Sequence, residues 1–118
     1  MDLKKSLKQL EEALMEANIN GWKGENSVAV SLPVAYHSLH FLRLLPDDIP
    51  NPNIAAEPDG EIEFEWYKNP DRNFSVSVNK NGGLNYVGKM PKEIGGNCNL
   101  LEDYCLSVII NSVKKVYE

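Results

Sequence analysis

Leu3, Leu7, Leu10, Leu14 and Ala17 recur at three- and four-residue intervals, the spacing that lines one side of an α-helix. They predict a helix over residues 2–17, with Asp2 as its N-cap and Asn18, Asn20 and Gly21 as its stop. A second helix is expected over 33–45, with Ser31 as cap and Pro33 in the first turn, where its missing N–H costs nothing. Val34, Phe41 and Leu45 share one side of it, widened by Ala35 and Leu42, and Pro46 ends it. The apolar period then drops to two. Ile62, Phe64 and Trp66 alternate with Glu61, Glu63 and Glu65, and Phe74, Val76 and Val78 alternate with Asn73, Ser75, Ser77 and Asn79.

Turn formers separate these runs. Glu57-Pro58-Asp59-Gly60 places Pro where φ is pre-set and Gly where the left-handed region is needed. Asn69-Pro70-Asp71-Arg72 and Asn79-Lys80-Asn81-Gly82-Gly83 mark the next two reversals. The strands predicted are 53–57, 61–67, 73–79 and 84–89, a four-stranded antiparallel meander with one dry face. Residues 90–97, with Pro91, Gly95 and Gly96, are expected as a loop, and Asn97 or Asn99 as the cap of a last helix reaching about Val116. The order α-α-β-β-β-β-α describes a single α+β domain over residues 1–118 with its helices on one face of the sheet.

Three segments qualify this outline. Pro46, Pro50 and Pro52 make 46–53 a stiff connector too short to divide two domains. Trp22, between Gly21 and Gly24, is expected to anchor its loop by folding over the core, a ligand platform being the other use of an indole so placed. The last helix carries two apolar stripes: Leu101, Cys105, Val108, Ile109, Ser112 and Val116, and beside them Leu106, Ile110 and Val113. Either the second stripe packs against the Leu3–Leu14 stripe or it meets another chain, making Leu106 and Ile110 candidate interface residues and a homodimer one expected state.

Charge narrows the function classes. The chain has 118 residues, 12 basic and 17 acidic, for a net charge of −5. That disfavours a nucleic-acid partner, whose phosphates need a basic surface. Lys68, Arg72, Lys80, Lys89 and Lys92 form a basic run, but on turns and strand ends without interleaved exposed aromatics. No apolar run approaches the roughly 18 residues of a membrane helix, and the N-terminus opens on a charged amphipathic segment, so a cytoplasmic location without a membrane partner is expected. The acidity is local. Asp47, Asp48, Glu57, Asp59, Glu61, Glu63 and Glu65 occur between residues 44 and 67 with no Lys or Arg among them. A negative field so concentrated steers a basic partner, and the solvated strand face of Glu61, Glu63 and Glu65 is the candidate docking surface, the other use of these acids being to keep an exposed sheet soluble and to block edge pairing.

No phosphate loop, dinucleotide fingerprint, nucleophile elbow or zinc motif occurs, so no catalytic residue, cofactor or metal ligand is assigned. His37 and His40 have a spacing that can present two imidazoles to one metal but lack a third ligand. Cys98 and Cys105, if both helical, stand about 10.5 Å apart at Cα, too far to bridge. Cys105 is then simply a core residue.

The Gly21-Trp22-x-Gly24 loop, the Leu44-Leu45-Pro46 helix end, the stretch from Pro52 through Glu57-Pro58-Asp59-Gly60-Glu61-Ile62 to Glu65-Trp66, and the Gly83–Tyr86 turn-strand occur together. In these features residues 20–88 resemble a family of small bacterial proteins to which no activity is assigned, although Lys23 stands where such proteins often carry an acid. The resemblance implies no catalytic residues. What is expected is a small non-enzymatic protein-interaction domain, an accessory or neutralising partner. The alternatives are an enzyme whose site assembles only in three dimensions, and a nucleic-acid-associated adaptor.

Overall fold

In the computed structural model, which describes residues 1–118, the helices are α1 (Leu3–Glu16), α2 (Leu32–Leu44) and α3 (Asp103–Val116). Between α2 and α3 lie five strands: β1 (Asn53–Ala56), β2 (Ile62–Asn69), β3 (Arg72–Val78), β4 (Gly83–Lys89) and β5 (Glu93–Asn99). They form one antiparallel sheet in the order β1-β2-β3-β4-β5. The α+β class and the meander are as the period-2 pattern predicts; the strand number is corrected from four to five.

The fifth strand occupies the segment expected as a loop. Its Gly95 and Gly96 have little intrinsic preference for strand, but seven consecutive residue pairs tie it to β4, from Gly83↔Asn99 to Lys89↔Glu93. Gly96 accommodates the Tyr86 ring, which lies across it: a Cβ there would stand 2.6 Å from the Tyr86 hydroxyl oxygen and would push the ring aside. The β4–β5 connection contains a cis Met90–Pro91 bond.

One face of the sheet is dry. Ile62, Phe64, Trp66, Phe74, Val76, Val78 and Leu84 are buried at 1% exposure or less and meet Phe41 and Leu42 of α2 and Cys105, Ile109, Val113 and Val116 of α3. The Phe41 and Phe64 rings pack edge to face at 4.9 Å between centroids. α2 and α3 lie over β2 and β3, and α1 lies along β1 and α2. The proline-rich connector is pinned to this core. Trp66 Nε1–H donates to Pro50 O at 2.8 Å, and the Asn51 amide donates to Ser6 Oγ at 2.7 Å and to Asp2 O at 2.7 Å.

Helix ends follow the predicted chemistry only in part. Asp2 caps α1, accepting from Lys5 N–H at 3.2 Å. Ser31 occupies the cap position of α2 without a side-chain bond. For α3 the cap is Glu102, not Asn97 or Asn99, which belong to β5. The chain therefore reverses between Cys98 and Cys105 instead of continuing as helix. This brings their Cα atoms to 5.5 Å, and the two cysteines form a disulfide. The expected pair of separate thiols is thus overturned, because the 10.5 Å separation assumed that both residues were helical. No helix is long and apolar enough to cross a membrane.

Candidate protein-binding faces

α2 and α3 cover one side of the sheet and α1 flanks it along β1, so the other side is left uncovered. Period-2 alternation puts Glu61, Glu63 and Glu65 of the β2 segment there. Across the sheet they face small neutral residues: Glu63 stands between Ala55 and Ser77, and Glu65 between Asn53 and Ser75. No cation is among these cross-strand neighbours. The β1–β2 turn adds two more acids. Glu57 Oε1 accepts from Ser77 Oγ at 2.5 Å, and Asp59 Oδ1 accepts from Glu61 N–H at 3.0 Å. The turn thereby gathers the carboxylates of Glu57, Asp59 and Glu61 within 4.8 Å of one another.

This crowding has an electrostatic signature. Partial burial, then Asp59 and Glu57, raise the Glu61 carboxyl above its ordinary value. Partial burial, then Glu57 and Glu65, do the same for Glu63. Both carboxylates are held in a state that a neighbouring cation would relieve.

Two of the sequence motifs, the Gly21–Ser27 loop and the Glu57–Gly60 turn, meet at the same end of the sheet. The Gly21–Ser27 loop delivers Val28, whose N–H donates to Pro58 O at 2.7 Å. Gly60 takes φ +89°, and a Cβ there would approach Ala29 O to 3.1 Å, so the turn sits flush on residues 28–29. Trp22 Nε1–H donates to Val28 O at 2.9 Å. The indole is half-buried and outside the central core, which corrects the expected core lid. It staples its own loop, and through Val28 that loop holds the acidic turn.

A second feature escaped the sequence pattern. The Leu3–Leu14 stripe does not all face the core: Leu10 is buried, Leu7 and Leu14 are half-buried, and Leu3 is exposed. Ser6 and Ala13 are buried instead. Leu7, Leu14 and Met15 border an apolar groove of about 730 Å³ shared with Leu32, Tyr36 and Leu39 of α2. Leu32 is 86% exposed and Tyr36 and Met15 are each 66% exposed. The signal was the i, i+4, i+7 spacing of Leu32, Tyr36 and Leu39, a second apolar stripe on α2.

The remaining candidates are dispersed. On the second stripe of α3, Val113 is fully buried, Leu106 packs partly against the core and Ile110 is half-buried. α1 finds its neighbours in β1 and α2. Tyr36 meets both imidazoles, His40 stacked at 6.4 Å and His37 edge-on at 5.4 Å between centroids, and His37 also lies against Gly82. Of the basic run, Lys89 pairs with Asp71 at 3.5 Å, and Arg72 donates to Lys115 O at 2.7 Å at the C-terminal end of α3.

No protein-family model, no curated protein sequence and no solved structure is significantly similar to this chain.

Proposed function

We propose that the protein is a small interaction domain, an accessory or neutralising partner, that binds a basic surface of another protein through the outer face of its sheet. The observation that carries this reading is the uncovered face itself. Glu63 and Glu65 are set among Ala, Ser and Asn side chains with no cation at their cross-strand positions, and Glu57, Asp59 and Glu61 gather at the adjoining turn, where Lys80 lines the same depression as Asp59 and Glu61. Small neutral neighbours leave the carboxylates accessible to long Lys or Arg side chains, for which a bidentate Arg contact has the right geometry. The raised Glu61 and Glu63 carboxyls favour the same partner, since a cation docking between them offsets repulsion already present in the free protein.

A disulfide such as Cys98–Cys105 persists in oxidising surroundings. In a reducing cytoplasm, the location expected from the sequence, the pair would be two thiols. The acidic face belongs to β2 and the β1–β2 turn in either state.

The test is selective capture from host lysate on the wild-type protein and on the E61Q/E63Q/E65Q variant, with cross-links mapped by mass spectrometry. A basic protein held by the wild type, released by moderate salt, cross-linked to β2 or β3 and lost with the variant supports the reading. A specific partner retained undiminished by a folded variant overturns it.

A further inference from the structure

The two edges of the sheet are treated differently. At β1 the outward N–H of Ile54 donates to Gln9 Oε1 of α1 at 3.0 Å, and α1 lies along the strand, closing that edge. Along β5 nothing comparable occurs. Leu100 N–H points inward, donating to Gly82 O at 3.1 Å, while Asn99 points outward. Its N–H meets the Glu102 carboxylate at 2.7 Å, and its C=O accepts from Glu102 N–H at 2.8 Å. Alternation along an antiparallel strand then turns the N–H and C=O of Glu93, Gly95 and Asn97 outward. Those six backbone groups have no partner within the chain. The strand lacks the devices that normally blunt an edge: no bulge in its pairing with β4, no Pro and no Lys from 93 to 99, and a single charge, Glu93.

From this geometry we infer that β5 is the seam of a homodimer in which β5 of a second copy pairs antiparallel with it, giving one continuous ten-stranded sheet. A two-fold axis through Gly95 is the register that satisfies all and only the open groups: Glu93 opposite Asn97, Gly95 opposite Gly95, and Asn97 opposite Glu93. The side chains agree with that register. No like charges face one another, because each Glu93 carboxylate meets an Asn97 amide. On the helix-covered side, each Ile94, 36% exposed in the single chain, comes opposite Gly96 of the second copy and alongside the Tyr86 ring lying over it. At the ends of the seam Lys92 approaches the Glu102 of the other copy, which occupies the outward side of Asn99. The body of α3 packs over β2 and β3, and only its first turn, tied to β5 by the Cys98–Cys105 disulfide, lies near the seam. The seam shares no residue with the acidic face proposed above, and neither reading depends on the other.

The register makes the test specific. Wild-type protein at about 100 µM is expected to run with dimer mass in size exclusion with light scattering. Asn97→Glu places like charges opposite Glu93 twice across the axis and should weaken the dimer by about tenfold. Adding Glu93→Lys to that variant restores opposite charges and should restore the dimer. Both side chains are exposed, and circular dichroism matching the wild type confirms the fold. Gly95→Cys provides a direct probe, since a Cβ there meets only Tyr86 O at an ordinary 3.5 Å. Directly opposed Cα atoms about 5.5 Å apart lie within bridging range. Mild oxidation should link two copies through position 95. A wild type that stays monomeric to roughly 1 mM, a dimer indifferent to Asn97→Glu, or a folded double variant that does not recover dimer mass would each overturn the inference.

Discussion

Replacing Glu61 and Glu63 with Gln should make the protein more stable at pH 7 and should do so less and less as the pH falls. In the folded chain Glu61 is raised by partial burial and by Asp59 and Glu57, and Glu63 by partial burial and by Glu57 and Glu65. A carboxyl raised on folding contributes stability that is fully present below its unfolded value, here 4.5, and is lost as the pH climbs through the folded value. At neutral pH both groups are therefore a net cost. Same-face neighbours on a strand lie about 7 Å apart. A like-charge pair at that range costs about 0.6 kcal/mol in water and less once salt screens it. Like-charge pairs of this kind disappear in E61Q/E63Q: Glu61 with Glu63 and Glu63 with Glu65 along the strand, Glu63 with Glu57, and Glu61 with Asp59 and Glu57, whose carboxylates gather within 4.8 Å at the turn. The expected gain is about 1 kcal/mol, a few tenths for each pair, or a rise in Tm of about 4 °C. Urea unfolding at pH 7 and again below pH 4.5, with the slope m unchanged, measures it. A variant less stable than the wild type at pH 7 would refute the reasoning, because it would mean these carboxylates make stabilising contacts. So would a gain equally large below 4.5, since the wild-type carboxyls are then already neutral.

Two further substitutions probe the interior and the loop. Ser38 is fully buried on α2 and its hydroxyl has no hydrogen-bond partner, so Ser38→Ala should raise stability by about 1 kcal/mol in urea unfolding, whereas a loss would reveal a bond to that hydroxyl. Trp22→Phe removes the indole donor to Val28 O and should cost about 1 kcal/mol. Trp22→Ala should cost clearly less than the 3–5 kcal/mol of a true core aromatic, and a loss in that range would return the indole to the core.

The elements legible in the sequence were those whose neighbours are close along the chain. α1, α2 and the hairpins from β1 to β4 are each specified by a local period and by turn residues of fixed geometry, so their positions agree with the structure to within a residue or two at most ends. The acidic stripe was legible for the same reason, because alternation alone assigns Glu61, Glu63 and Glu65 to one face. What required the tertiary structure was whatever depends on contact between distant segments. β5 is a strand because β4 offers it a complete ladder and Tyr86 covers Gly96, a context that outweighs two glycines with poor strand preference. The Cys98–Cys105 bridge follows from that strand, since only an extended segment reversing into α3 brings the two Cα atoms to 5.5 Å. Likewise the stripe of α1 divides between core and groove because the helix lies along the sheet edge beside α2 and not over the middle of the sheet. A one-dimensional period gives the direction of a side chain from its own helix, but which neighbour stands in that direction is decided by packing alone.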